Sequence, residues 1–138
     1  MAVATTHSHM TLPIPTDAPY PPAAFQFVVE GLSFTTERAF AQYAREGLPM
    51  PDLKHVSGQQ LCLGLREYAI ERFGMLAPCV LRHWNICRTE DFGQIVYLLI
   101  ESGQLSKSSD DSIEDFRGVF DFAEVFANRS LAARVGAH

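Results

Sequence analysis

Residues 79–122, CVLRHWNICRTEDFGQIVYLLIESGQLSKSSDDSIEDFRGVFDF, decide the fold that this sequence predicts. The first part indicates a short helix that ends at Asn85, because asparagine tolerates the left-handed backbone conformation of a sharp turn. A longer amphipathic helix is predicted from Thr89, with apolar residues at spacings of three and four. Two short stretches, 105–107 and 112–114, flank a polar turn and predict a small β-hairpin. Helix, turn, helix and hairpin together form the outline of a winged helix.

Further helices are predicted on both sides of this stretch. Apolar residues recur at helical spacing over 21–46. Ser57 and Gln60 form a capping-box pattern that opens a second helix, and Gly74 closes it. A last short helix is predicted over 121–126. The fold class is therefore mainly α with a small β-hairpin (α+β), winged-helix-like in its second half.

One globular domain is expected in this chain of 138 residues, because 47% of the residues are apolar and 20% are charged, which is ordinary globular usage. Repeated prolines without hydrophobic periodicity predict a flexible N-terminal arm over 1–20. The globular domain is predicted over 21–127, with 79–122 as its winged-helix-like part. Small and polar residues predict a C-terminal tail over 128–138.

The compartment is predicted from the cysteines and from what the chain lacks. Cys62, Cys79 and Cys87 are an odd number in apolar surroundings, which indicates free thiols rather than a disulfide framework. The sequence shows no signal-peptide pattern and no apolar run near the ~20 residues of a membrane span. A cytoplasmic protein without a membrane partner is expected.

A family resemblance is carried by three segments, HVSGQQLCLGLREYAIERFG (55–74), HWNICRTEDFGQIVYLLIESGQLSK (83–107) and EDFRGVFDF (114–122). In order and spacing they resemble a small bacterial family of uncharacterised proteins best known from planctomycetes and verrucomicrobia, over roughly residues 20–126. That family has no established activity, so the resemblance implies no function, cofactor or site residue. The chain departs from the family pattern at Asn85, where glycine is usual, and at Cys79 and Cys87, which are not part of it.

Cys79, His83 and Cys87 are candidate metal ligands, because residues four apart place two thiolates and an imidazole along one side of a helix. The turn at Asn85 interrupts that helix, and no fourth ligand follows, so core thiols and a hydrogen-bonded histidine are favoured. The sequence contains no hydrolase, Walker-loop or dinucleotide fingerprint. It therefore predicts no catalytic residue and no cofactor. A small enzyme or metal-binding protein centred on His83 is the third hypothesis for function.

DNA binding by a winged helix is the second hypothesis, and the charge pattern counts against it. From Glu90 to Glu124 the sequence has nine carboxylates against only Lys107 and Arg117, and the whole chain carries a net charge of −5. Phosphate contacts supply most of the affinity of non-specific DNA binding, and this surface would repel phosphates. A winged-helix transcription regulator is thus the runner-up, and nucleic acid is not the expected partner.

A protein-interaction or adaptor module is the first hypothesis, because winged-helix domains without a basic face can serve as docking modules. The acidic residues would form a charged rim for a partner with a basic surface, and the phenylalanines would be its aromatic anchors. The alternative for both groups is a solvated face over a phenylalanine core. The residues predicted to contact such a partner are Glu90, Asp91, Asp110, Asp111, Phe116 and Phe120.

Overall fold

The structure is a computed structural model that describes residues 1–3, 17–49, 55–127 and 131. These residues form five α-helices and two short strands. The elements are β1 (Ala2–Val3), α1 (Pro22–Arg45), α2 (Gly58–Phe73), α3 (Ala77–His83), α4 (Thr89–Glu101), β2 (Leu105–Ser106) and α5 (Phe122–Val125). Short 3-10 turns cover Gly74–Leu76 and Ile113–Phe116. The prediction of a mainly α protein is confirmed. None of the helices in the described ranges is long and apolar enough to span a membrane.

The predicted hairpin over 105–114 is wrong. β2 pairs antiparallel with β1, so that Leu105 lies opposite Val3 and Ser106 opposite Ala2. The second predicted strand is instead part of a 3-10 turn. Side chains of the same turn accept hydrogen bonds from its first backbone N–H groups. The Ser112 hydroxyl accepts a hydrogen bond from the Glu114 N–H (3.1 Å). In the described residues, the helix-turn-helix of α3 and α4 therefore has no wing at this place.

The turn between α3 and α4 forms as predicted, at Asn85. Asn85 has a φ of 67°, and the Ile86 and Asn85 amides donate to the carbonyls of Leu81 (2.8 Å) and Arg82 (2.9 Å). These two bonds are the Schellman pattern, in which a left-handed residue closes the last helical turn. The Asn85 side-chain amide also donates to the Pro19 carbonyl (2.8 Å). The turn is thereby tied to the segment that precedes α1.

α1 and α2 pack closely because glycines lie at their contact. A Cβ atom at Gly64 would overlap the Thr35 side chain, and one at Gly31 would overlap Leu65. Thr35 is buried, and its hydroxyl donates to the Gly31 carbonyl (2.7 Å). Since the two helices meet over these residues, neither glycine can be replaced without moving a neighbour.

A polar network also joins α1 to α2. Tyr68 Oη and Arg72 Nη1 both donate to Glu30 Oε1, at 3.0 Å and 2.8 Å. The hydrogen bond from Gln26, followed by those from Tyr68 and Arg72, holds the pKa of Glu30 below its usual value. The carboxylate is therefore stabilised in its charged form at the edge of the aromatic core.

α4 is the central helix of the fold. It contacts α1, α2, β2 and the second 3-10 turn. Its apolar stripe is fully or almost fully buried, and consists of Phe92, Ile95, Val96 and Leu99. The helical spacing of this stripe is the one that the sequence predicts.

The predicted flexible arm over 1–20 has a buried residue at each of its ends. Met1 is fully buried and its ammonium group donates to the Val56 carbonyl (2.7 Å). Tyr20 is only 5% exposed and belongs to the core. Residues 4–16 lie outside the described residues, so the prediction stays open there.

The predicted tail over 128–138 has one described residue, Leu131. It is fully buried, and its amide donates to the Ala127 carbonyl (2.9 Å). Leu131 therefore packs in the core, although the sequence places it in the tail. The other residues of that stretch lie outside the described ones.

Candidate functional site

A pocket of about 550 Å³ lies between α3, the segment after it, and α5. Its apolar lining includes Pro78, Ile86, Phe122 and Phe126, and its polar lining consists of Cys79, Arg82 and Cys87. Ligand and anchor pockets in proteins commonly occupy 300–1,000 Å³ and combine apolar walls with a few polar groups. In size and lining, this pocket is of that kind.

The α5 wall of the pocket is held in place by ring contacts. Phe122 and Phe126 meet edge to face with centroids 5.2 Å apart, and Phe120 stacks on Phe122 at 5.2 Å. The Asp121 carboxylate accepts from the Ala123 N–H (2.9 Å) and so fixes the start of α5. Aromatic pairs of this geometry contribute about 0.5–1.5 kcal/mol beyond their buried area. The wall is therefore a fixed surface, although α5 is only one turn long.

The structure brings together two of the three candidate metal ligands. Cys79 and Cys87 are exposed free thiols that line the same pocket. His83 is exposed but does not line the pocket, and Arg82 does instead. Within the described ranges, no group of three His, Cys, Asp or Glu side chains is arranged to hold a metal ion. The hypothesis of an enzyme or metal site centred on His83 thus gains no geometric support.

Asp91, a predicted docking residue, is bound by groups of its own chain. It accepts hydrogen bonds from Tyr20 Oη (2.7 Å), the Cys87 N–H (2.8 Å) and the Arg88 N–H (3.2 Å). Burial, and then the hydrogen bond to Asp91, raise the pKa of Tyr20, so the phenol stays protonated and donates. Asp91 therefore fixes the start of α4 and its link to Tyr20, and is not available as a charged rim.

Replacement of Asp91 by alanine is expected to lower the free energy of unfolding by about 1–2 kcal/mol, because helix-start carboxylates and charged hydrogen bonds are each worth that much. Chemical denaturation followed by circular dichroism measures it. Asp110→Ala is the matched control, since Asp110 is exposed and such surface changes stay within about 0.5 kcal/mol. Equal stability of the two variants would contradict the structural role of Asp91.

Asp111, also predicted to contact a partner, is engaged in the same way. Its side chain is 7% exposed, lies 3.0 Å from the Met1 ammonium group and accepts from the Ser108 N–H (2.9 Å). Burial alone would raise the pKa of Asp111, but the Ser108 hydrogen bond and the ammonium outweigh it, and the pKa is lowered. Of the four predicted acidic contacts, Asp110 is exposed and Glu90 is half-buried.

Phe116, predicted to anchor a partner, is a core residue whose ring is not exposed. It is 0% exposed, and its ring packs against Gly58 and Gly93, where added Cβ atoms would come within 3.0 Å. Its carbonyl accepts from the buried Thr89 hydroxyl (2.7 Å), which in turn accepts from the Val119 N–H (3.1 Å). A partner cannot reach this ring without unfolding the turn that carries it.

Phe120 is half-buried and remains a candidate contact residue. The Arg66 guanidinium lies 5.7 Å from the centre of its ring. Through the stack with Phe122, Phe120 continues the wall of the α3–α5 pocket. Arg82 and Phe126 also line the pocket, and the sequence alone does not predict this role for either of them. The i, i+4 spacing of Phe122 and Phe126 is the signal that points to a shared face.

α4, the helix that a DNA-binding helix-turn-helix would insert into the major groove, is covered by the rest of the fold. Its exposed side chains are only those of Gln94 and Glu101. A recognition helix needs several exposed polar or basic side chains on one face to reach the base edges. The geometry therefore counts against DNA binding through α4, in agreement with the acidic charge of this region.

No match is found for this chain among protein-family models, curated proteins or solved structures. The resemblance over residues 20–126 consequently stays a prediction. Any assignment of function rests on the geometry of the described residues.

Proposed function

We propose that this protein is a protein-interaction module that binds an apolar side chain of its partner in the α3–α5 pocket. The observation that carries the proposal is the pocket itself, which combines aromatic walls with an open mouth at the surface. Binding energy at protein interfaces concentrates in a few anchors that fill such pockets. Among the described residues, the lining of the pocket includes no histidine and no acidic side chain, so these residues favour docking over acid–base chemistry.

The charges around the pocket favour a partner that is basic around an apolar anchor. Arg82 lies in the lining and would repel a cationic side chain inside the pocket. Outside it, Asp121 at the cap of α5 is exposed. The segment 101–127 as a whole has seven carboxylates against two basic residues. Complementary charge at a rim steers association and selects partners more than it adds affinity.

The arrangement of α3 and α4 favours a helix-turn-helix docking module as the class of this protein. Helix-turn-helix domains without a basic recognition surface can act as docking modules, and α3 and α4 fit that class better than a DNA-binding winged helix. Neither of the two exposed side chains of α4 is basic. We place the interaction in the cytoplasm, where reducing conditions keep Cys79 and Cys87 as thiols.

Filling the pocket with a large side chain is expected to weaken partner binding strongly. Ala123 is exposed on α5 and lines the pocket, so Ala123→Trp places an indole in the space of the partner's anchor. Tagged wild-type and variant chains are used to capture proteins from a lysate of the native host, with nuclease present. A partner that the wild-type chain retains in stoichiometric amount should fall by about tenfold or more with the variant, as loss of one anchor predicts.

Ala41→Trp is the matched control, because Ala41 is exposed on α1 and lines none of the pockets described here. It should retain the partner, and both variants should unfold at the wild-type temperature. Equal capture by Ala123→Trp and the wild-type chain would refute docking in the pocket. Bound material that disappears on nuclease treatment would favour the nucleic-acid hypothesis instead.

A further inference from the structure

We propose a second docking surface, a groove between α1 and α2 that binds an acidic protein segment carrying apolar side chains. Two adjoining depressions of about 300 Å³ and 280 Å³ form the groove. Both are lined by Ala39, Gln42 and Gln60, so they are continuous along the last turns of α1. An elongated segment fits such a shape better than a compact ligand does.

Positive charge is concentrated in this groove, although the chain as a whole is acidic. Arg38, Arg45 and Arg66 line the first depression, and they are three of the eight Lys and Arg residues that the structure describes. Glu67 lines the same depression and Glu46 the second, so the positive charge lies in the first depression. Within the described residues, neither Arg38 nor Arg45 has a carboxylate partner. Guanidinium groups bind carboxylates through two parallel hydrogen bonds, so unpaired arginines favour an acidic ligand.

Two of the three guanidinium groups are positioned by aromatic rings. Arg38 lies over Phe34 at 5.1 Å from the ring centre, and Arg66 lies over Phe120 at 5.7 Å. Stacking restrains a guanidinium group while its N–H donors at the edge stay available. Arg66 also pairs with Glu67 (2.9 Å). This pair lowers the net positive charge at one end of the groove and leaves the stretch between Arg38 and Arg45 as its most cationic part.

Apolar side chains at both ends of the groove indicate that its ligand is not a simple anion. Leu63 borders the first depression and is 40% exposed, and Leu48 borders the second and is 49% exposed. Exposed leucines that flank a groove can pack against apolar side chains of the ligand that lies in it. Phosphate would use the arginines alone. Glu46 and Glu67 also border the depressions, so the carboxylates of the ligand have to meet the arginines and not these two residues.

This surface selects the opposite charge in its ligand from the α3–α5 pocket, and among the described residues the two surfaces meet only where Arg66 stacks on Phe120. A chain with both surfaces would connect a basic partner to an acidic one. Failure of either surface in binding tests leaves the other intact, since their lining residues do not overlap.

Peptide binding tests the groove directly. The probe is a pool of fluorescein-labelled peptides of about twelve residues, each with four Asp or Glu and two Leu at varied spacing, and fluorescence anisotropy at low salt gives the affinity. At least one spacing should give saturable binding to the full chain. Arg38→Gln combined with Arg45→Gln should weaken it by about tenfold or more, as loss of two charged hydrogen-bond donors predicts.

The matched control is Arg88→Gln combined with Arg117→Gln, which changes the net charge equally at exposed sites outside the groove. It should bind within about threefold of the wild-type chain, and so should Ala123→Trp. Leu63→Ser should weaken binding of the leucine-containing peptides. The proposal is overturned if no peptide in the pool saturates, if the control loses as much affinity as the groove variant, or if phosphate or an oligonucleotide displaces the peptide at equal charge.

Discussion

Replacement of Phe116 by alanine is expected to lower the free energy of unfolding by about 3–5 kcal/mol, a large part of the stability of a domain of this size. The ring is 0% exposed and fills the space between α2 and α4, against Gly58 and Gly93. Removing it leaves a cavity that these backbones cannot easily close. Denaturation in guanidinium chloride measures the loss, as a lower midpoint with an unchanged dependence of the unfolding free energy on denaturant concentration.

Phe120→Ala is the matched control for this experiment, because Phe120 is half-buried and neighbours the α3–α5 pocket. Its cost in stability should be clearly smaller, and its main effect should be on partner capture. If Phe116→Ala left the unfolding transition unchanged and abolished partner binding, the ring would be an exposed anchor, and the position found for it would be wrong.

Replacement of Gly64 by valine is expected to destabilise the protein by about 3 kcal/mol, the upper range for added volume in a packed contact. A Cβ atom at this position would overlap the Thr35 hydroxyl and lie 2.7 Å from Thr35 Cβ and Cγ2. Thr35 cannot turn away freely, because it is buried and its hydroxyl is bonded to the Gly31 carbonyl. Thermal and chemical unfolding give the change.

Thr35→Ala supplies the control as a double-mutant cycle. It removes the hydroxyl and methyl groups that the valine would meet, so the cost of Gly64→Val should fall by about 1 kcal/mol or more in that background. Additive effects of the two substitutions would show that α1 and α2 are not in contact at this point.

The helices of this fold could be predicted from the sequence because their signals are local. Ser57 and Gln60 form the predicted capping box, with hydrogen bonds of 2.8 Å and 3.1 Å. Gly74 ends α2 and Asn85 ends the turn after α3, each with positive φ. Caps and periodicity act within four residues, so a single sequence contains them in full.

The pairing of β1 with β2 could not be predicted, because the two strands are about a hundred residues apart and each has only two residues. Nothing in so short a strand specifies its partner. The predicted hairpin pairs 105–107 with the nearest stretch in the sequence, 112–114. In the structure Ser112 and Asp115 supply side-chain bonds to the local backbone, and these favour the 3-10 turn.

The sequence identified part of the candidate site and misassigned the rest. Acidic residues look alike in a sequence, whether they bind the backbone at a helix start, as Asp91 does, or face solvent in a turn, as Asp110 does. Phe116 and Phe120 also look alike in the sequence, and only the structure shows that the first is buried and the second half-buried. The groove of Arg38, Arg45 and Arg66 draws on two helices, and only their packing brings these arginines together.

If the α3–α5 pocket is the docking surface of an interaction module, a partner should contact the residues that line it. The most direct test is an NMR titration of the nitrogen-15-labelled full chain with the protein captured from its host. The proposal predicts that amide shifts change most at Cys79, Arg82, Ala123 and Ala127, and change little in Ala123→Trp. Shift changes confined to the exposed side of α4, at Gln94 and Glu101, with none around the pocket, would contradict it.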